Sequence, residues 1–119
     1  MKEIYNNNGI VICSKDIIDD DTTYYYAVFL ISNNTGSEIN VDVDYGSLSL
    51  NDVMTDSINY SLALKPGRIG AMNVMINKMD AEKNGITSLS EIKNMELVFE
   101  IRDTQTYDDI DTPNVKVTF

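Results

Sequence analysis

Nineteen carboxylates, nine cationic side chains and no histidine bound the chemistry open to this chain. Without imidazole, its residues can assemble neither a Ser-His-Asp nor a Cys-His nucleophile, and no histidine-ligated metal site. Cys13 is the only cysteine, which excludes an intramolecular disulfide and a cysteine-built zinc site. Oxygen ligands remain. Asp19-Asp20-Asp21, Asp42 with Asp44, and Asp103 with Asp108, Asp109 and Asp111 would suit calcium if a fold gathered them at one end. None follows the D-x-[DN]-x-[DN]-G calcium-loop spacing, and aspartates in loops ordinarily bond their own backbone. The candidate metal ligands are therefore Asp19, Asp20, Asp21, Asp103, Asp108, Asp109 and Asp111, set against the reading of plain solvated loops. Paired carboxylates also serve glycoside hydrolysis, but a chain with 19 acids offers such pairs by accident, and it has no Trp to stack a sugar.

Tyrosine is the other chemistry-bearing type. Tyr24, Tyr25, Tyr26, Tyr45, Tyr60 and Tyr107 combine rigid apolar area with a polar tip, the composition of contact surfaces. Successive strand residues point to opposite faces, so at least one of Tyr24, Tyr25 and Tyr26 must leave the core, and these three are the candidate contact surface. Cys13 lies in an apolar strand with no basic neighbour nearer than Lys15, and is expected to be an inert buried thiol. The sequons at Asn33 and Asn59 are short enough to arise by chance.

The elements that would carry these residues read as strands. After a turn at Asn6-Asn7-Asn8-Gly9, residues 9–18 hold the β-branched Ile10, Val11, Ile12, Ile17 and Ile18. The unbroken apolar run 24–32 ends at Asn33-Asn34-Thr35-Gly36 and reads as a central strand. Ile39, Val41, Val43 and Tyr45 alternate with Asn40, Asp42 and Asp44, and at Gly46 the phase slips, which implies a bulge or bend. Asn51-Asp52 reads as a tight hairpin turn into Val53-Met54. Ile58, Tyr60, Leu62 and Leu64 alternate up to Lys65-Pro66-Gly67, a turn with Pro and Gly where each fits. Residues 69–76 make a strand with Met72, Val74 and Ile76 in phase. A helix of one to two turns fits residues 79–85, which end in Asn-Gly, and Ser88-Leu89-Ser90-Glu91 has capping-box spacing. Met95, Leu97, Phe99 and Ile101, then Val115, Val117 and Phe119, alternate to the end.

These signals predict an all-β fold, an immunoglobulin-like two-sheet sandwich of about seven antiparallel strands with one short helix near 79–85, organised as a single domain over 1–119. A length of 119 residues suits one core. Hydrophobic content of 43% and charged content of 24% are those of a folded globular chain. The net charge of −10 disfavours nucleic acid and anionic lipid as partners. No stretch reaches the length of a membrane span, and the start, Met-Lys-Glu-Ile-Tyr-Asn-Asn-Asn, has no apolar signal region, so no signal is visible in this chain and one removed ahead of Met1 stays open.

One set of features resembles a known family. Phe29-Leu30-Ile31-Ser32-Asn33-Asn34, Ile39-Asn40-Val41-Asp42-Val43, Lys65-Pro66-Gly67, Glu82-Lys83-Asn84-Gly85-Ile86 and Leu97-Val98-Phe99-Glu100-Ile101-Arg102-Asp103 follow one another in this order. Together they are similar to immunoglobulin-like domains of lipoproteins and membrane-anchored proteins from clostridia and related gut Firmicutes. The resemblance runs from Gly9 onward. It departs in showing no lipobox and in carrying Asn51-Asp52 where Asn-Gly is expected. It implies a sandwich displayed outside the cytoplasmic membrane, at the cell surface, and it supplies no site residues. The resulting expectation is a non-enzymatic binding, adhesion or spacer module without cofactor, contacting protein or cell-surface glycan. The alternative is a calcium-dependent binder of a ligand such as carbohydrate, using the aspartate loops.

Overall fold

A computed structural model describes residues 1–119. The chain opens with Lys2–Asn7 (β1), Ile10–Asp19 (β2) and Tyr24–Asn33 (β3), then Ile39–Val43 (β4), Ser49–Leu50 (β5), Val53–Met54 (β6), Ile58–Asn59 (β7), Leu62–Leu64 (β8) and Ile69–Asn77 (β9). The helix Lys78–Lys83 (α1) and a 3-10 turn at Leu89–Glu91 precede Asn94–Asp103 (β10), Asp109–Asp111 (β11) and Asn114–Thr118 (β12). One sheet runs β1-β2-β3-β9-β7, the other β6-β5-β10-β4-β8, and every pairing is antiparallel. Ile101 on β10 pairs with Val41 and also with Asp111, so β11 and β12 lie on the edge of β10 opposite β4. With β2, β3, β9 and β7 in one sheet and β4, β10 and β12 in the other, the pairing is that of an immunoglobulin-like sandwich.

The core follows from period-two burial. Tyr25, Ala27, Phe29 and Ile31 of β3 point inward, as do Met95, Leu97, Phe99 and Ile101 of β10 and Met72, Val74 and Ile76 of β9. Together with their neighbours they form one apolar cluster of 24 residues. Phe29 and Phe99 meet edge to face across the two sheets, with ring centroids 5.3 Å apart.

The strand segments outnumber the expected seven for identifiable reasons. Residues 2–7, which show no alternation, form an edge strand by pairing with β2 around the Asn8-Gly9 turn, where a Cβ on Gly9 would stand 3.0 Å from the Asn34 carbonyl oxygen. The phase slip at Gly46, whose φ is +76°, separates β4 from β5. The run 58–64 reads as one strand in sequence but is two: β7 joins one sheet and β8 the other. Its alternation is therefore not one buried face, for Ile58 and Tyr60 are exposed while Leu64 is buried. Ahead of the final alternating segment, which forms β12, residues 109–111 add the short strand β11, and Pro113 lies between the two. Pro has no N–H to donate to a ladder.

Helix α1 begins one residue earlier than the sequence suggests, because the Asn77 side chain caps it by accepting from the Met79 N–H at 2.8 Å. The chain leaves it through Asn84 and Gly85, the latter at φ +86°. The Asn51-Asp52 hairpin forms as read, with both residues in the left-handed region.

Candidate functional site

Alternation in β3 turns Tyr25 into the core, 3% exposed, and turns Tyr24 and Tyr26 outward, their rings edge to face at 6.3 Å. Of the three candidate contact tyrosines, Tyr25 is thus removed from the surface. Burial raises its phenol pKa, and Lys78 Nζ lies 5.4 Å from its ring centroid. The strand register extends the outward set into rows. Ile18, Tyr26, Met75 and Ile58 align across four strands, Cys13, Leu30 and Ala71 form a second row, and Asp16, Val28 and Asn73 lie between them. Val11, Ser32 and Ile69 continue the face. All of these side chains are half-buried or exposed. Cys13 accordingly sits half-buried on this outer face instead of in the core, because its partner in β3 is Leu30 and both point outward.

The outer face of the second sheet is polar by contrast. Glu96 stands opposite Lys116, Glu100 opposite Asp42, and Arg102 opposite Asn40. Arg102 reaches Asp109 at 2.8 Å, and that bond raises the guanidinium pKa. One sandwich thus carries one charged face and one largely apolar face.

The candidate calcium ligands do not converge, and no three acidic side chains are placed to hold an ion. Asp19 accepts from the Asp21 N–H at 2.9 Å and from Lys78 at 2.6 Å, and the lysine bond holds its carboxyl below the ordinary carboxylate range. Asp20 accepts from the Thr22 N–H at 3.1 Å. Asp103 accepts from the N–H groups of Gln105 and Thr106, which lower its pKa as well. Asp109 is paired with Arg102, and Asp111 accepts from the Tyr5 hydroxyl and from Asn8. Asp21 and Asp108 contribute backbone groups to the same two turns. The carboxylates of Asp19, Asp20 and Asp103 thus shape loops, the ordinary use of Asp in a turn, while those of Asp21 and Asp108 bond no protein group.

Two polar features carry no sequence signature. Asn33 is fully buried: its amide donates to the carbonyls of Ser37 at 2.7 Å and Leu64 at 2.9 Å, and its oxygen accepts from the Thr35 N–H and hydroxyl. A glycan on this sequon is incompatible with the fold. The second feature is a concavity of about 260 Å³ where the β4–β5 loop, the segment after β6 and α1 meet. Residues 46, 54–56, 80, 83 and 84 supply its walls from three segments distant in sequence, so only folding brings them together.

These observations define the class: an all-β immunoglobulin-like sandwich with one largely apolar outer sheet face. No family model matches the chain, and no curated protein matches it. Among solved structures it is similar to a FixG-related protein from Vibrio parahaemolyticus, at 15% identity over 93% of this chain and 94% of that one, with a TM-score of 0.45. It is also similar to a protein from Archaeoglobus fulgidus, at 15% identity over 92% of this chain and 94% of that one, with a TM-score of 0.44.

Proposed function

We propose that this chain is a non-enzymatic binding or adhesion module, displayed outside the cytoplasmic membrane, whose contact face is the outer surface of the β1-β2-β3-β9-β7 sheet. One observation carries the reading: the asymmetry between the two outer faces. A solvent-facing sheet surface normally alternates to polar residues, as the second sheet does, whereas the first presents Ile18, Tyr26, Leu30, Met75, Ile58 and Ile69. Tyr24 and Tyr26 add the residue type most used in adaptable contacts. The lack of histidine and the commitment of the clustered aspartates to turns favour binding over catalysis. Display outside the membrane rests on the resemblance to clostridial and gut Firmicutes surface domains.

The test is site-specific photo-crosslinking in the source cells. A photoreactive residue in place of Tyr26 is expected to capture a discrete adduct, and the same probe in place of Glu96 on the charged face is expected to capture none. Equal labelling from both faces, or labelling from neither, defeats the assignment. Protease treatment of intact cells is expected to digest the protein, and protection until lysis would overturn the location.

A further inference from the structure

The concavity beside α1 is polar on all but one of its lining residues. Its walls are Gly46, Met54, Asp56, Asp80, Lys83 and Asn84, together with the buried Thr55, and only Met54 is apolar. Three of its side chains are charged, yet none takes part in an ion pair. Asp80 and Lys83 are three apart on one helix, where such residues are neighbours, and they still leave each other free, for the ion pairs of the molecule are Lys78 with Asp19 and Arg102 with Glu100 and Asp109. Asp56 likewise bonds to no protein group. This contrasts with Asp19, Asp20, Asp103, Asp109 and Asp111, whose carboxylates already accept hydrogen bonds.

The floor is pre-organised. Asn84 caps α1 through its backbone N–H and spends its amide protons on the Met54 carbonyl at 3.1 Å and the Thr55 hydroxyl at 2.8 Å. The Thr55 hydroxyl in turn donates to the Val53 carbonyl. These bonds fix the Asn84 side chain and leave its oxygen as an acceptor with no protein donor. Gly46, at φ +76° and with open space where a Cβ would stand, keeps one wall low. Tyr45, next to it in the chain, is 91% exposed.

Acceptors therefore outnumber donors: two carboxylates and an amide oxygen against one ammonium. An anionic ligand is opposed by the local excess of carboxylate and by the −10 charge of the chain, and an apolar ligand would strand the polar walls. A volume near 260 Å³ is below that of a drug-sized pocket, so it takes one ring. We propose that this concavity binds a monosaccharide-sized polyol bearing a primary ammonium group, an amino sugar, with the ammonium on Asp80 and Asp56 and hydroxyls on Asn84 and Lys83. This site is separate from the apolar sheet face and stands or falls independently of it.

The experiment is a titration of the ¹⁵N-labelled chain with glucosamine, N-acetylglucosamine, glucose and ammonium chloride. Glucosamine is expected to shift the amides of Gly46, Thr55, Lys83 and Asn84 saturably, and the other three are expected to shift them little. Asp80→Asn, whose carboxylate bonds nothing in the protein, is expected to keep the wild-type spectrum elsewhere and to weaken glucosamine binding about tenfold. No saturable shift at these amides, equal response to N-acetylglucosamine or ammonium chloride, or unchanged affinity in Asp80→Asn overturns the proposal. Because the readout is residue by residue, shifts confined to β3 and β9 would count against this pocket while leaving the sheet-face reading intact.

Discussion

The Phe29 ring meets the Phe99 ring at 82°, edge to face, and this contact joins the central strand of one sheet to the central strand of the other. Both side chains are essentially inaccessible to solvent. Removing one leaves a void on the sandwich midline that strands on both sides cannot close without breaking ladder bonds. Phe99→Ala is therefore expected to cost about 3–5 kcal/mol and Phe99→Leu clearly less. Urea unfolding followed by circular dichroism checks this, through a lowered midpoint at unchanged slope. A loss near 1 kcal/mol or below for the alanine variant would mean that the two sheets are not held together here.

Asn33 ties the end of β3 to the β3–β4 loop and to the end of β8, and its own backbone bonds Arg68 and Gly67. Asn33→Ala removes the bonds to the Ser37 and Leu64 carbonyls and to the Thr35 N–H and hydroxyl at a buried position, so a loss of about 2–4 kcal/mol is expected. Asn33→Asp removes both donors and sets a carboxylate against two carbonyl oxygens, so it is expected to be worse above pH 5 than below it. Chemical unfolding of both variants at pH 4.5 and 7.5 decides the point, and identical stability at the two pH values speaks against buried placement.

The two residues of the β5–β6 turn should respond in opposite directions to glycine. Asp52, exposed at φ +68° and without a side-chain bond, is relieved by Asp52→Gly, with an expected gain of about 0.5–1 kcal/mol. Asn51, at φ +50°, accepts from the N–H of Lys93 at 2.8 Å and of Asn94 at 3.2 Å and donates to the Glu91 carbonyl. Asn51→Gly is expected to destabilise by about 1–3 kcal/mol despite the easier backbone. Thermal melts of the two variants side by side test the contrast, and a gain from both would show that the side-chain bonds of Asn51 are dispensable.

The pH dependence has a definite sign on each side. Asp19, Asp103 and Glu91 have pKa values lowered on folding, by Lys78, by the Gln105 and Thr106 amides, and by Thr87 respectively. The unfolded chain then binds more protons in acid, so their stabilisation is present above the ordinary carboxylate value of about 4 and lost as pH falls through the lower folded values. Tyr5 and Tyr25 are raised, chiefly by desolvation, and Lys78 is raised by its bond to Asp19. Their contribution is complete below about 10 and lost as pH climbs through the folded values. A plateau of melting temperature between these limits is expected, falling on both sides, and Asp103→Asn should show a smaller acid loss than the parent.

Calcium should leave the melting temperature unchanged. The aspartates that could have bound it are held in separate turns or paired with Lys78 and Arg102, and a ligand stabilises only if the folded state binds it. Differential scanning calorimetry in excess calcium and in chelator provides the comparison, and a rise of several degrees with the metal would restore the calcium-dependent reading.

Much of this was legible from order alone. Period-two alternation in 39–43 and 95–101 marked strands with one buried face, because side chains in a pleated chain must point alternately and only one side can be dry. The turns at Asn8-Gly9, Asn51-Asp52, Pro66-Gly67 and Asn84-Gly85 were legible because left-handed or proline-fixed backbone restricts residue type. The run 24–32 told of a strand but not of which tyrosines leave the core, since with both faces apolar the pattern has no phase; packing against Phe99 and its neighbours chose Tyr25 for the inside. The jump of 58–64 from one sheet to the other was hidden, because exposed Ile58 and Tyr60 mimic a buried face.

Composition and local pattern by themselves determined an acidic, histidine-free, all-β chain, for those depend on residue types and on neighbours one or two positions away. Only the tertiary structure decided that the aspartates stay apart, that Asn33 is locked inside, that one sheet keeps an apolar outer face, and that Asp56, Asp80 and Asn84 share a hollow. Each of these depends on segments tens of residues apart being brought within a few ångströms, and strand register, which sets those meetings, is fixed by the packing of the whole core.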